Sequence, residues 1–366
     1  MHQKMSAQIK LQKVWTLLTV AVIAGSLLSG CGGGAQQDKK VYTIGLLAGF
    51  DFPVTNGFKD GMAELGYVEG ENLIYDLQET HGVDMQAYQD ITQKFVDEKV
   101  DLVMSFPSEA TQAAHQVTQG SDVPLVFSYA AIEGLGVVES VQAPGDNVTG
   151  VRYPLLDIAR KHFEVTMQLV PDAKKVLIPY FAGYPILPPQ FETIEPLAQA
   201  AGVTIVKAPV TNGEEMQAFL DNLIAESAPE AVSTPEVEGE TEAEAQSEAV
   251  AKPDIDAIVY LVGPAPVSPD IVAVVAQFGA AYQIPITSGV IGENDTWTIT
   301  DINVDWHESG VMAATLADKI FQGIPAGTIP VVTPEPYLYV NLVAAQKLGL
   351  EVPEELMLLA DKIVTE

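Results

Sequence analysis

The sequence is almost without cysteine, since Cys31 is the only one in 366 residues. A single thiol excludes a disulfide within the chain and a thiolate metal site. Basic residues are also scarce, because 18 Lys and Arg stand against 49 Asp and Glu, which gives a net charge of −31. Without a basic stripe to neutralise phosphates, the composition argues against nucleic acid as a partner.

Sequence motifs of catalysis are missing as well. The chain has no Walker loop, no Gly-x-Gly-x-x-Gly after a strand, no His-Glu-x-x-His and no Gly-x-Ser-x-Gly. Its histidines are not spaced for metal binding. The sequence therefore predicts a protein that is not an enzyme and that holds no metal and no cofactor.

The N-terminus has the features of an export signal. Three lysines precede a short apolar run over 14–28, and small residues follow up to Cys31. This order is typical of a secretory signal, and the run is too short to predict a membrane-spanning helix. The tetrapeptide Leu-Ser-Gly-Cys resembles the bacterial lipobox, whose cysteine is acylated. We predict a lipoprotein signal peptide over 1–30, lipidation of Cys31 and a flexible tether over 31–40.

From residue 41 onward, short apolar runs alternate with helical patterns. The strand patterns lie at 41–47, 73–77, 100–106, 125–128, 175–180, 203–206, 257–262 and 285–288. Strands that alternate with helices of this length predict βαβ units and parallel sheets. Because the series runs twice, the predicted fold is α/β with two doubly wound, Rossmann-like lobes.

One segment, between Ala225 and Pro253, interrupts this alternation. It carries eight glutamates against one lysine, with no aromatic residue and no apolar stripe. Such a composition cannot bury enough apolar surface to offset the entropy of ordering. We predict a disordered acidic insertion over 225–253 in a surface loop of the second lobe. The alternative is an arm that binds calcium or a partner, although the segment has no calcium-loop spacing.

Ligands of open α/β sheets bind beyond the carboxyl ends of the strands, and this rule selects the loops of a binding site. These loops are rich in aromatic residues, small residues and hydroxyls. Ser108 is predicted to cap a helix whose first amides are free to bind a ligand carboxylate. Asp305 is predicted to hold either the hinge or the ligand. The predicted ligand-binding residues are Phe50, Asp51, Ser105, Phe106, Ser108, Ser128, Tyr129, Tyr180, Tyr184, Gly263, Ser288 and Asp305.

Four stretches carry a resemblance to a known family. They are 57–72, 144–151 with the pattern Pro-Gly-x-Asn-Val-Thr-Gly, 304–310, and 341–361. Together they resemble the substrate-binding lipoproteins of bacterial ABC transporters, in the family that includes tryptophan- and tyrosine-uptake proteins. The resemblance covers nearly all of the chain after residue 40, apart from the acidic insertion.

That resemblance implies a type I periplasmic-binding fold, in which three crossover strands join two lobes at a hinge. Lobe 1 is then expected over 41–150 and about 300–328, and lobe 2 over 151–299 and about 329–366. The implied function is capture of a small, aromatic or amino-acid-like solute by hinge closure, for delivery to an ABC permease. The expected protein is an exported monomer, anchored by lipid to the outer face of the cytoplasmic membrane or in the periplasm.

Two departures from the family bear on the solute. Family members often carry Asp-Pro after the fourth strand and Asp-Asn after a strand of lobe 2, where this chain has Ala131–Ile132 and Gly263–Pro264. An acidic side chain at those places would pair with a ligand ammonium. Asp51, Glu109 and Glu133 are the candidates to replace it. Otherwise the expected solute is less polar, such as an aromatic acid or another planar molecule.

Two other functions stay open at this point. The same binding module would act as a sensor if its closed state contacted a signalling protein instead of a permease. An exported α/β enzyme would need an acid–base pair at the cleft, and no motif in the sequence supplies one.

Overall fold

The computed structural model describes residues 40–48, 52–80, 84–227, 253–290 and 297–365. The predicted signal peptide, Cys31, Phe50, Asp51 and residues 228–252 of the predicted insertion lie outside the described residues. Within these ranges, no helix has the length and apolar character that crossing a membrane requires.

A five-stranded sheet forms the first lobe. Its strands are β1 (Tyr42–Ala48), β2 (Leu73–Glu79), β3 (Leu102–Phe106), β4 (Leu125–Ala130) and β5 (Val148–Arg152). They pair in parallel in the order β2-β1-β3-β4-β5. The helices that connect them are α1 (Pro53–Glu64), α2 (Met85–Glu98) and α3 (Ser108–Thr118). Neighbouring residues such as Leu46 and Leu47 pack into separate hydrophobic clusters, because both faces of the sheet are covered.

A four-stranded parallel sheet forms the second lobe. Its strands are β6 (Lys175–Phe181), β7 (Thr204–Val210), β8 (Ala257–Val259) and β9 (Ile286–Thr287), in the order β7-β6-β8-β9. The surrounding helices are α4 (Leu155–Leu169), α5 (Leu187–Ala201), α6 (Gly213–Ser227) and α7 (Pro269–Tyr282). Both sheets confirm the predicted α/β fold of two doubly wound lobes.

The rest of the chain links the lobes. Its elements are β10 (Thr300–Asn303), α8 (Trp306–Phe321), β11 (Tyr337–Asn341), α9 (Leu342–Lys347), α10 (Glu354–Leu359) and β12 (Lys362–Val364). Strand β11 pairs antiparallel with β10 and parallel with β12. The chain passes between the lobes after β5, after β10 and before β11, which is the three-crossover hinge.

Packing at the hinge suggests where the lobes divide. Ile302 of β10 packs with α4 of lobe 2, whereas Val331 still packs with the core of lobe 1. The chain returns to lobe 1 at α8 and leaves it after Val332, which bridges to Val151. We propose the lobe boundaries at these crossings, a few residues from those expected from the sequence.

Helix α8 is held on lobe 1 by close contact with α1. A Cβ added at Gly57 would lie 1.9 Å from the carbonyl oxygen of His307, and one at Gly310 would lie 2.1 Å from that of Val54. The two helices therefore touch backbone to backbone, which only glycine permits. This contact fixes the first residues of α8 at the mouth of the cleft.

The ends of the acidic insertion are close together. Helix α6 runs to Ser227, so the first three residues of the predicted disordered segment are helical instead. The backbone N–H of Asp254 donates to Oγ of Ser227 at 3.1 Å. The chain therefore leaves lobe 2 and rejoins it at nearly the same point.

Candidate solute-binding site

A cavity of about 390 Å³ lies between the two lobes. Lobe 1 and the start of α8 contribute Phe52, Phe106, Ser108, Glu109, Tyr129 and Trp306 to its wall. Lobe 2 contributes Tyr184, Ile186, Leu261, Gly263 and Ser288. Much of this wall lies at or just beyond the carboxyl ends of strands β3, β4, β8 and β9, where ligands of open α/β sheets bind. The volume is that of a pocket for a small organic molecule.

Half of the predicted contact residues line this cavity. They are Phe106, Ser108, Tyr129, Tyr184, Gly263 and Ser288. Their contact with a solute stays a prediction, but the fold brings them from two lobes into one wall.

Four rings form an aromatic cluster on the lobe 1 side: Phe52, Phe106, Tyr129 and Trp306. The ring centroids of Phe52 and Trp306 are 4.2 Å apart, and those of Phe52 and Phe106 are 5.3 Å apart. Tyr129 joins them at 6.0 Å from Phe106. The ring planes are inclined to one another by 20° to 59°, so the cluster offers several aromatic faces against which a ring of a solute can stack.

Tyr129 is held in place by the hinge. Its hydroxyl donates to Oδ1 of Asn303, the last residue of β10, at 3.0 Å. Its backbone is left-handed, with φ of 50°, where the strand pairing with β5 shifts register. Burial raises the pKa of the Tyr129 phenol well above its ordinary value, so the ring enters the cavity wall as a neutral group.

Glu109 is the charged residue of the lobe 1 wall. It lies in the first turn of α3 and is only 7% exposed. Among the described residues, no hydrogen bond of good geometry reaches its carboxylate oxygens. The phenol of Tyr184 approaches from lobe 2, and burial, then the charge of Glu109 and a hydrogen bond toward its carboxylate, raise the pKa of that phenol far above its ordinary value. A buried carboxylate without a cationic partner is costly and usually marks a site that a ligand completes.

Two serines at the cavity differ in whether their hydroxyl groups are hydrogen-bonded. Oγ of Ser108 accepts the backbone N–H of Ala131 at 3.0 Å, and the N-cap of α3 is Pro107. The predicted capping role of Ser108 is therefore wrong, because its hydroxyl joins α3 to the loop after β4. By contrast, the buried Oγ of Ser288 has no hydrogen-bond partner among the described residues. The backbone of Ser288 is left-handed, and its N–H donates to Oγ1 of Thr300 at 3.2 Å.

Ser105 and Ser128 are fully buried away from the cavity, which corrects their predicted role in binding. Oγ of Ser105 lies 3.0 Å from Oγ1 of Thr111. Oγ of Ser128 donates to the carbonyl oxygen of Ser309 at 2.9 Å and so ties β4 to α8. Both hydroxyls point into a packed lobe because helices cover each face of this parallel sheet.

Tyr180 and Asp305 also lie outside the cavity wall. The ring of Tyr180 packs edge-on against Phe191, with centroids 5.0 Å apart, beside the core of lobe 2. Oδ1 of Asp305 accepts the backbone N–H of Glu308 at 2.8 Å, which makes Asp305 the N-cap of α8. Of its two predicted roles, this geometry favours the hinge. Glu133, a candidate acidic contact, pairs instead with Arg152 at 3.3 Å.

The prediction missed Phe52, Tyr153, His162 and Trp306 among the lining residues. Trp306 follows β10 directly, so the strand-end rule applies to it once β10 is recognised as a strand. Tyr153 lies two residues before α4 and His162 lies in the middle of that helix, whose helical pattern was not identified. Phe52 stands one residue before α1, next to the predicted Phe50 and Asp51.

His162 connects lobe 2 to the hinge beneath the cavity. Its Nδ1 lies 3.1 Å from the carbonyl oxygen of Tyr260, and its Nε2 lies 3.0 Å from that of Ile302. Burial lowers the pKa of His162 to about 4, although both carbonyl contacts favour the protonated ring. The imidazole is therefore a neutral structural group at physiological pH.

Within the described residues, no group of three or more His, Cys, Asp or Glu side chains is arranged to hold a metal ion. The described part of the cavity instead combines an aromatic cluster, the buried carboxylate of Glu109 without a cationic partner, and the hydroxyl of Ser288 without a hydrogen-bond partner. Two α/β lobes, a hinge of three crossings and a cavity at the strand ends between them define a type I periplasmic binding protein.

Comparison with known proteins gives the family. The sequence matches the ABC transporter substrate binding protein family over residues 52–243 and 240–364. The chain belongs to this family, whose members bind small solutes and work with a membrane permease.

Individual relatives agree with this assignment. A tyrosine-binding protein of Clostridioides difficile is 25% identical over 342 residues, which are 89% of this chain and 88% of the relative. The structure of an ABC domain in complex with L-Trp from Streptococcus pneumonia has a TM-score of 0.68 and 20% identity, covering 89% of this chain and all of that one. A ligand-free, open substrate-binding protein with adhesive properties from Clostridium difficile has a TM-score of 0.63 and 21% identity, over 89% of this chain and all of that one.

Proposed function

We propose that this protein captures a small solute with an aromatic or planar body in the cavity between its lobes. The observation that carries the proposal is the aromatic cluster of lobe 1, which faces Tyr184 and Ser288 of lobe 2 across one cavity. A solute that touches both walls stabilises the closed state more than the open one, so binding shifts the hinge. The closed form is the one that the permease would recognise. Binding occurs without turnover.

The relatives support the choice of solute class. One is named for binding tyrosine and another was solved with L-Trp. Both ligands carry a ring that the aromatic cluster can stack against. We include aromatic amino acids, aromatic amines and aromatic acids in the class proposed for this chain.

We also propose that the protein works outside the cytoplasm as a monomer, anchored by acyl chains on Cys31. The order of lysines, apolar run and Leu-Ser-Gly-Cys supports this, and each buried CH₂ adds about 0.8 kcal/mol of membrane affinity. Labelling of the expressed protein with an alkyne fatty acid should tag the wild type and leave Cys31→Ser untagged. A tagged Cys31→Ser variant would rule out this site of acylation.

Thermal unfolding of the purified protein with a solute panel tests the binding function. The panel contains aromatic amino acids, amines and acids, nucleobases and, as a class without aromatic rings, sugars. A solute at a hundred times its dissociation constant should add about 2.7 kcal/mol of stability, visible as a raised midpoint. A well-folded protein that no aromatic solute stabilises would refute the proposed solute class.

A second measurement places the solute. The chain has three tryptophans, and Trp306 is the one that lines the cavity. In a variant with Trp15→Phe and Trp297→Phe, the remaining fluorescence reports on Trp306 alone. A stabilising solute should change that fluorescence in a saturable way. Saturable binding with no change in emission would move the site away from the aromatic cluster.

A further inference from the structure

The charges in the cavity wall are unbalanced. Two carboxylate side chains line it. Asp301 is engaged in an interaction of its own, which leaves Glu109, and no Lys or Arg is among the described lining residues. The two undescribed segments adjoining lining residues in the sequence, 49–51 and 291–296, contain no Lys or Arg either. His162, which also lines the cavity, is neutral because burial lowers its pKa to about 4. A bound solute therefore meets negative charge without a cationic side chain to balance it.

Glu109 is the buried carboxylate in this wall that a cationic ligand group would stabilise. It is more than nine-tenths buried, and no hydrogen bond of good geometry reaches its oxygens among the described residues. The neutral phenol of Tyr184 approaches it from lobe 2 but brings no positive charge. Desolvating a carboxylate without pairing it is strongly unfavourable. A ligand ammonium or N–H donor that reached Glu109 would remove this cost and would form a charge-assisted hydrogen bond.

Among the described lining residues, a solute carboxylate would meet neutral donors such as the hydroxyl of Ser288 but no cationic side chain. Helix N-termini attract anions, but the first turn of α3 already carries the carboxylate of Glu109. A second carboxylate near that end would be repelled by Glu109 at short range in a poorly solvated cavity. A free α-amino acid brings such a group, whereas the corresponding amine does not.

The aromatic cluster suits the same kind of solute. Aromatic faces attract cations through their quadrupole, and tryptophan does so most strongly. Phe106 is the last residue of β3, and Glu109 lies three residues later in the first turn of α3. One strand-to-helix connection therefore carries both a ring of the stacking surface and the carboxylate. The phenol of Tyr184 faces this loop from lobe 2. Because the cluster and Glu109 line the same cavity, a solute whose ring stacks on the cluster can direct its charged substituent toward Glu109.

We propose that the cavity selects an organic cation, namely an amine with an aromatic body and no carboxylate, and that Glu109 receives its ammonium group. The proposal rests on the proposed function, since it narrows the solute class of the same cavity. Glu109 is a specificity-determining residue in it, and selection against zwitterionic amino acids follows from the absence of a balancing cation.

Matched pairs of ligands test the selection on the wild-type protein. Tryptophan and tryptamine, tyrosine and tyramine, and phenylalanine and phenethylamine each share a ring and differ in the carboxylate. In calorimetric titrations at neutral pH, each amine should bind about tenfold or more tightly than its amino acid, the change expected for one unbalanced charged contact. Amino acids that bind as tightly as their amines would overturn the proposal while leaving the proposed function intact.

Glu109→Gln tests the residue. It keeps the shape of the side chain and removes the charge, so amine affinity should fall about ten- to a hundredfold. Binding of neutral indole, which has the ring alone, should not change. The matched control is Glu308→Gln, which removes an exposed carboxylate two residues after Trp306 and should leave amine affinity unchanged.

The outcomes separate the two levels of the proposal. Amine binding that survives Glu109→Gln, or falls equally in Glu308→Gln, would overturn the role of Glu109. If no amine, amino acid or aromatic acid binds to folded wild-type protein, the proposed function itself fails and the selection with it. Since the wild-type pairs need no variant, a Glu109→Gln protein that fails to fold would still leave the selection decided.

Discussion

Phe106 has two roles at once. Its ring lines the cavity and also belongs to the hydrophobic core of lobe 1, with 1% of its surface exposed. It sits at the last position of β3, where the strand passes from the core to the cleft. A sequence rule that assigns strand-end residues to a ligand does not show that such a residue also fills the core.

Phe106→Ala should therefore destabilise the protein as well as weaken binding. Removing a buried phenylalanine ring costs about 3–5 kcal/mol, and urea unfolding followed by circular dichroism measures it. The strand-end rule alone predicts weaker binding without unfolding of the protein. Phe52→Ala is the comparison, because Phe52 is only half-buried and should lose less stability. A Phe106→Ala protein as stable as the wild type would show that the ring is not a core residue.

The burial of His162 gives a pH dependence of stability. Its pKa is about 4 in the folded protein and near 6.5 when unfolded. The unfolded state therefore binds more protons between these values, so stability is complete above pH 6.5 and falls as pH drops toward 4. This difference in pKa corresponds to a loss of roughly 3 kcal/mol in the free energy of unfolding between pH 6.5 and pH 4.

His162→Gln should remove this part of the pH dependence. Urea unfolding at steps between pH 7.5 and pH 4 gives the two curves, and their difference isolates the imidazole from the carboxylates that titrate in the same range. The two proteins compared at pH 7.5, above the pKa of the ring in either state, give the cost of the substitution itself. Parallel curves for wild type and His162→Gln would mean that folding does not change the pKa of the ring.

At the scale of single residues, half of the residues predicted from the sequence line the candidate site. Tyr129, Gly263 and Ser288 were found because they follow strands with clear apolar runs. Ser105 and Ser128 were assigned wrongly because a strand pattern does not tell how far the helices cover its end. Glu109 was only one of three acidic candidates, since the sequence cannot show which carboxylate is buried without a cationic partner.

Among the elements, α8 decides the geometry of the cleft. It carries Trp306 into the cavity wall, and its N-terminal half rests on α1 through Gly57 and Gly310. The hydroxyl of Ser128 binds the carbonyl oxygen of Ser309 from the sheet side. These contacts hold a helix that comes from the far end of the chain against lobe 1.

Gly310→Ala should destabilise the protein, although the same change in an exposed helix usually stabilises it by about 1 kcal/mol. The new methyl would meet the carbonyl oxygen of Val54, and overpacking of this kind costs about 1–3 kcal/mol. Thermal unfolding shows whether the variant is less or more stable than the wild type. Glu64→Ala on the exposed face of α1 should change stability little. A stabilised Gly310→Ala variant would show that the two backbones are not in contact.

The elements themselves were largely readable from hydrophobic periodicity. Helix α7 begins and ends where the pattern predicts, at Pro269 and Tyr282. Strand β8 is shorter than predicted, because 260–262 leave the sheet and approach the cavity while remaining apolar. Helix α4 was not identified, and periodicity did not reveal the short strands β10 to β12, which depend on pairing between distant segments.

For the whole molecule, alternating strands and helices were enough to predict two parallel α/β lobes, because βαβ units are local. The hinge was predicted only through the family resemblance, since its strands are short and its crossings join residues far apart in sequence. The place of the cavity followed from the strand-end rule. The charge balance of the cavity could not be predicted, because that balance depends on which of the many acidic residues face inward.

The acidic insertion offers a last test at this scale. Seven glutamates and one lysine lie in 228–252, between Ser227 and Asp254, whose hydrogen bond shows that the flanking chain ends meet. Replacing 228–252 by about four Gly and Ser residues shortens a closed loop and should raise the free energy of unfolding by about 1 kcal/mol. Urea unfolding measures the stability, and calorimetry with the best solute should find an unchanged affinity.

The control for this deletion keeps the length and composition of 228–252 but shuffles its order. If the segment is only a surface insertion, the shuffled protein should match the wild type in stability and in solute affinity. If either variant loses affinity while remaining folded, the segment takes part in binding. If the deletion variant does not fold although the shuffled one does, the length of the insertion is needed to close lobe 2. Because the flanking residues already touch in the folded protein, we expect neither loss.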